Sequence, residues 1–130
     1  MYLWTSLVTI LAVCVYAWSG ARVAQARRLH HVKAPATTGD PAFERAFRAQ
    51  QNTLEWMPIF LPLLWLFAFH VGDVWAALIG LVWVGGRVVY VQGYARAAEA
   101  RSQGFAIQAL ACAALLGGDV IALLWRLFAR

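Results

Sequence analysis

Long apolar runs alternate with short polar ones along this chain. The first apolar run goes from Leu3 to Ala26 and meets no charge before Arg22. An amphipathic pattern then begins at Phe43 and leads into a second apolar run over Trp56 to Phe69. The third run covers Val74 to Gly86 and continues as Arg87-Val-Val-Tyr-Val. The fourth covers Phe105 to Trp125 and is interrupted only by Gln108 and Asp119. A helix that crosses a membrane needs about 20 largely apolar residues, whereas a membrane-crossing strand shows an alternating segment of about 10. These runs do not alternate. The pattern therefore predicts an all-α fold, a bundle of four transmembrane helices placed roughly at 3–26, 45–70, 74–101 and 105–127 of one integral membrane domain, 1–130.

The breaks in the pattern fit that reading. Pro58 and Pro62 fall inside the second span, where neighbouring helices can satisfy the freed carbonyls. The link His70-Val-Gly-Asp73 is short enough for a tight hairpin. Asp119 is costly in lipid unless it is paired or lies at the polar end of its span. Cys14 and Cys112 lie in apolar runs and are expected to be buried thiols with packing roles. His30, His31 and His70 show no metal-ligand spacing. A cleaved signal peptide carries positive charge before its apolar core. Here Arg22, Arg27 and Arg28 come after it, so the first helix is expected to be retained.

Composition identifies the solvent. Hydrophobic residues make up 62% of the chain and charged residues 13%, against roughly 45–50% and 25% in soluble domains. The mean hydropathy is +0.63. A small fold buries only about 65–70% of its chain surface, so lipid must cover much of the rest. Disorder, collagen and a two-cysteine disulfide scaffold are excluded. The net charge of +5 has a topological explanation. Nine of the 11 lysines and arginines fall between spans one and two or between spans three and four, and only Arg126 and Arg130 fall elsewhere. The positive-inside rule then places both of those loops in the cytoplasm and both termini outside. No basic face with interleaved aromatics exists, so no nucleic-acid partner is expected. The excess of arginine over lysine favours a bacterial inner membrane, and an endoplasmic-reticulum location fits the same topology.

Two polar clusters then stand out. Arg48, Asn52 and Glu55 follow at i, i+4 and i+7, which stacks them on one stripe of the second helix. Gln50 is near in sequence but on another face. Tyr90, Tyr94 and Arg101 follow at i, i+4 and i+11 on the third, with Arg87 at the edge of that stripe. Antiparallel helices joined by a short link bring both stripes to the same depth. The spacing thus predicts a polar pocket at the membrane surface. Plainer roles stand beside it: an aromatic belt for the tyrosines, snorkelling toward headgroups for Arg48 and Arg101, and a structural ion pair for Glu55.

At these residues the sequence resembles the MAPEG family, the membrane-associated proteins of eicosanoid and glutathione metabolism. The likeness runs from about Ala26 to Gln103. It is carried by Thr37-Thr38-Gly39, by the block from Phe43 to Trp56 with Pro58-Ile-Phe-Leu61, and by Arg87 to Arg96 followed by Arg101. It is strongest toward the branch that holds cysteinyl-leukotriene synthase and the type 2 and type 3 microsomal glutathione transferases. The resemblance implies a homotrimer of four-helix bundles with glutathione held between adjacent protomers on the cytoplasmic side. It assigns Arg27, Arg48, Gln50, Asn52, Glu55, Tyr90 and Tyr94 to glutathione binding, with Arg28 as a further contact. It assigns to Arg101 the activation of the thiol. Trp56 departs from the pattern, because relatives often carry tyrosine there and an indole cannot accept a hydrogen bond.

What the resemblance implies chemically suits these residue types. Arginines can fork onto the carboxylates of glutathione, Glu55 can pair with its ammonium, and Asn52 can bond its peptide. The expected activity is conjugation of glutathione, as co-substrate, to an apolar electrophile arriving from the bilayer, or reduction of a lipid hydroperoxide. The alternative is a non-enzymatic lipid-binding protein like the five-lipoxygenase-activating branch of the same family. Retention of Arg48 and Arg101 argues for the enzyme.

Overall fold

A computed structural model describes residues 1–129. Arg130, one of the two basic residues counted outside the loops, lies beyond them. Four helices follow in order: α1 Leu3–Leu29, α2 Pro41–His70, α3 Asp73–Arg96 and α4 Ser102–Phe128. All four are long and apolar enough to cross a membrane. A single 3-10 turn, Glu99–Arg101, precedes α4.

Polar side chains fix the helix ends. Asp40 caps α2 by accepting the Ala42 N–H at 2.8 Å, with Pro41 in the first helical position. Glu44 reaches back to the Gly39 N–H at 3.0 Å. Asp40 also lies 3.3 Å from His30 Nδ1, which ties the end of α1 to the start of α2. At the opposite end Asp73, the first residue of α3, accepts the N–H groups of Trp4 and Thr5 at 3.1 and 2.8 Å. Two of the four orphan donors at the start of α1 are thereby satisfied, and a negative charge there suits the helix dipole. Pro58 and Pro62 leave α2 continuous.

α2 and α3 form the central pair and each touches every other helix, while α1 and α4 flank them on separate sides. The core gathers Val8, Phe60, Leu64, Trp83 and Leu115. Phe60 and Trp83 stack with ring centroids 4.0 Å apart. The outward positions are apolar as well: Ile10, Leu78, Leu110 and Ile121 are all exposed. An apolar exterior around an apolar core is what a lipid-solvated bundle requires.

The closest approach is between α3 and α4. A Cβ on Gly104 would sit 2.2 Å from the Tyr90 nitrogen, and one on Gly86 would sit 2.9 Å from the Gln108 nitrogen. Small residues at a helix interface let backbones approach this closely. Gly93 continues the seam, since a Cβ there would lie 2.3 Å from the Ala100 carbonyl oxygen.

Two features differ from the sequence expectations. α3 ends at Arg96, because Ala97 takes up an extended backbone and turns the chain. Arg101 therefore belongs to the turn before α4 and not to the stripe on α3. Cys14 is exposed on α1, on the apolar outer surface near Ile10 and Val13, and only Cys112 is buried. Asp119 has the partner that its place in an apolar run requires: it is buried, with an oxygen 3.4 Å from Nδ1 of His70, the last residue of α2.

The α3–α4 seam yields a stability prediction. Gly104→Ala is expected to lower the unfolding midpoint in detergent by the equivalent of about 1–3 kcal/mol, as overpacking does. Gly85→Ala, whose Cβ would meet nothing within 4 Å, is expected to stay within about 0.5 kcal/mol of the parent. Equal midpoints for the two variants would show that the seam is not tightly packed.

Candidate functional site

A cavity of about 490 Å³ opens between α2, α3 and the start of α4. It lies at the end of the bundle that carries the connections between α1 and α2 and between α3 and α4. α2 supplies Arg48, Gln51, Asn52 and Glu55, α3 supplies Tyr90 and Tyr94, and Arg101, Ser102 and Phe105 close the third side. Six of the eight residues singled out from the sequence thus come together.

Each wall has a local cause. On α2 the lining residues follow at i, i+3, i+4 and i+7, one stripe of a helix. Gln51 belongs to that stripe and is legible from the same spacing. On α3 the rings of Tyr90 and Tyr94 lie one turn apart and stack, centroids 5.8 Å apart. The turn after α3 brings Arg101 back over them. Arg101 Nη1 donates to the Tyr94 hydroxyl at 3.0 Å, and its guanidinium carbon lies 5.0 Å from the Tyr94 ring centre. Ser102 and Phe105 enter only because the chain reverses there, so no single-helix spacing would find them. Trp56 stands behind the lining, edge-on to Phe105 at 5.6 Å.

Arg27 and Gln50 do not line this cavity. Arg27 Nη1 donates to the Ala36 carbonyl at 2.7 Å, and its guanidinium lies 4.7 Å from the Phe43 ring centre. Gln50 faces α1, where a Cβ on Gly20 would meet its Nε2 at 3.3 Å. Arg28, in the last turn of α1, is exposed and also outside the lining.

The residue most underestimated by the sequence reading is Arg87. Spacing put it at the edge of a stripe, yet its side chain is wholly buried. Both terminal nitrogens donate to Asn52 Oδ1 at 3.0 Å, and Nη1 also lies 3.4 Å from Thr53 Oγ1. Its guanidinium lies 4.5 Å from the Tyr90 ring centre. A permanent cation inside an otherwise apolar run was the available signal.

The lining offers two exposed guanidinium groups, one carboxylate, amides and two phenols. Guanidinium groups fork onto carboxylates, and a carboxylate takes an ammonium. The set suits a small polar ligand bearing charges of both signs, and the volume falls within the range of about 300–1,000 Å³ usual for ligand sites.

Comparison with known proteins agrees with this chemistry. An uncharacterised protein of Synechocystis sp. is 45% identical over 125 residues, which cover 96% of this chain and 91% of that protein. Human microsomal glutathione S-transferase 2 is 43% identical over 117 residues, covering 88% of this chain and 80% of the transferase. Leukotriene C4 synthase of Cavia porcellus is 46% identical over 94 residues, covering 72% of this chain and 63% of the synthase. The pattern of the MAPEG family matches residues 5–121. With nearly the whole bundle matched and a microsomal glutathione S-transferase 43% identical over 88% of this chain, the chain belongs to the MAPEG family.

Proposed function

We propose that this protein is a membrane-embedded glutathione transferase that conjugates glutathione to apolar electrophiles. The observation that carries the proposal is the cavity itself, where Arg48, Asn52, Glu55, Tyr90, Tyr94 and Arg101 converge. Glutathione has two carboxylates, one ammonium and a thiol. Arg48 and Arg101 answer the anionic groups, Glu55 answers the ammonium, and Asn52 and the tyrosines bond the peptide. The name of the human transferase relative supports the ligand, and the exposed apolar surface of the helices supports an electrophile that arrives through lipid.

Thiol activation is the chemical demand. A free thiol has a pKa of about 8.5, so only a few per cent is thiolate at pH 7. Lowering that pKa to about 6.5 requires about 2.7 kcal/mol of preferential thiolate stabilisation. A guanidinium at hydrogen-bond distance is of that size once the bound ligand and a neighbouring protomer exclude water from it. Arg101 is assigned this role, and the thiol proton leaves to water. The thiolate sulfur then bonds to the electrophilic carbon, and the leaving group departs with the electron pair. With a lipid hydroperoxide instead, two glutathiones would be oxidised to the disulfide while the peroxide is reduced to alcohol and water.

Assembly completes the site in this reading. Arg27 and Gln50 lie on the α1 side and away from the cavity of their own bundle. In a homotrimer with each site between neighbours, they would be contributed from the adjacent protomer. The site-bearing end, rich in arginine, faces the cytoplasm of a bacterial inner membrane.

Four measurements follow. Wild-type protein with glutathione and chlorodinitrobenzene is expected to release chloride and form the thioether, with bound thiolate visible in the ultraviolet. Arg101→Ala is expected to bind glutathione yet lose the thiolate band and most turnover; an undiminished band and rate would remove Arg101 from this role. The pH dependence carries the sign. The thiolate is the reactive form, so kcat should be lost as pH falls through about 6.5 in wild type and already through about 8.5 in Arg101→Ala. Finally, co-assembly of Arg101→Ala protomers with Arg27→Ala/Gln50→Ala protomers is expected to restore activity that neither possesses alone. No restoration would place each site within one protomer.

A further inference from the structure

Arg87 carries a permanent positive charge into the bundle core, and no acid answers it. Its side chain is fully buried. Among the described residues, the pairs of a carboxylate with a basic side chain within 4.0 Å are Asp40 with His30 and Asp119 with His70, and neither involves Arg87. A buried charge is costly unless surrounding polar groups compensate it. The compensating groups are the Asn52 carbonyl oxygen, the Thr53 hydroxyl and the face of Tyr90.

This arrangement decides which way Asn52 faces. Arginine has five N–H donors and no acceptor, so the atom of Asn52 turned toward it must be Oδ1. Two bonds of 3.0 Å, one from each terminal nitrogen, occupy that oxygen. What Asn52 has left for the cavity it lines is Nδ2, which donates.

We infer that Arg87 is a positioning residue. It holds Asn52 so that the cavity is offered a hydrogen-bond donor at this place and not an acceptor. The site thereby selects a ligand that brings a carbonyl or carboxylate oxygen there, as either the peptide or a terminal carboxylate of glutathione would. The inference rests on the glutathione reading above. It adds a residue that does not line the cavity and a reason for the polarity of one wall.

The test is a double-mutant cycle on the full chain in detergent, read by titration calorimetry with glutathione and by steady-state kinetics. Arg87→Gln is expected to raise the Kd and KM for glutathione about tenfold, equivalent to about 1.4 kcal/mol. It should leave kcat at saturating glutathione within about twofold, because ligand orientation and not thiol activation is lost. In an Asn52→Ala background the same change should alter Kd by less than about twofold, since Arg87 acts through Asn52. Equal factors in the two backgrounds, or an unchanged Kd in folded Arg87→Gln protein, would overturn the inference.

Asn52→Asp keeps the test alive if Arg87→Gln does not fold. The aspartate retains an oxygen on Arg87 and gains an ion pair, so folding should survive, while the donor is withdrawn. Its affinity for glutathione is expected to fall at least about tenfold. Asn52→Asp protein that binds as wild type does would overturn the inference. Wild-type protein that binds no glutathione would defeat the functional reading itself. Wild-type binding with equal factors in the cycle would defeat this inference alone.

Discussion

Where α3 meets α4, Gly86 and Gly104 let two backbones touch, and the rest of the site depends on that contact. A Cβ at Gly104 would lie 2.2 Å from the Tyr90 nitrogen and 2.7 Å from the Gly86 carbonyl oxygen. Lipid gives little hydrophobic drive for helices to associate, so close packing of small residues has to hold them together. With the seam closed, the turn between the helices is tight. The tight turn lays Arg101 over Tyr94, and the start of α4 forms the third wall of the cavity. The far end depends on polar anchors instead: Asp73 caps α1, and Asp119 sits on His70.

The cavity also depends on a cation set deeper than its lining. Arg87 places positive charge behind the wall formed by Asn52 and Tyr90. Arg48 and Arg101 place two more in the wall itself. Glu55 is the acid among the lining residues, so the balance favours a ligand of net negative charge with one cationic group. Glutathione has that balance. In the proposed reaction an electrophile soluble in lipid would reach the same end along the apolar exterior.

Much of this was legible in the sequence because lipid simplifies the code. Four apolar runs gave four helices, since lipid allows few ways to satisfy a backbone. The α2 stripe was readable because Arg48, Asn52 and Glu55 lie on one unbroken helix. Arg101 was read on the wrong helix. The apolar pattern runs on past Arg96, and nothing local announces the turn that Gly93 and Ala97 make. The residue still reached the expected place, because the turn folds it back onto Tyr94. Ser102 and Phe105 were illegible for the same reason. Arg87 was misjudged because its burial depends on the partner Asn52, 35 positions away. Cys14 was misread because in lipid an apolar neighbourhood does not mean the interior.

The central claim is that a glutathione thiolate is held in this cavity by Arg101. The most direct measurement is an experimental structure of the purified protein with glutathione. The tripeptide is expected between α2, α3 and the start of α4, with its sulfur within hydrogen-bond distance of the Arg101 guanidinium and its ammonium on Glu55. A lipid in that cavity, or glutathione bound elsewhere with its sulfur away from Arg101, would contradict it.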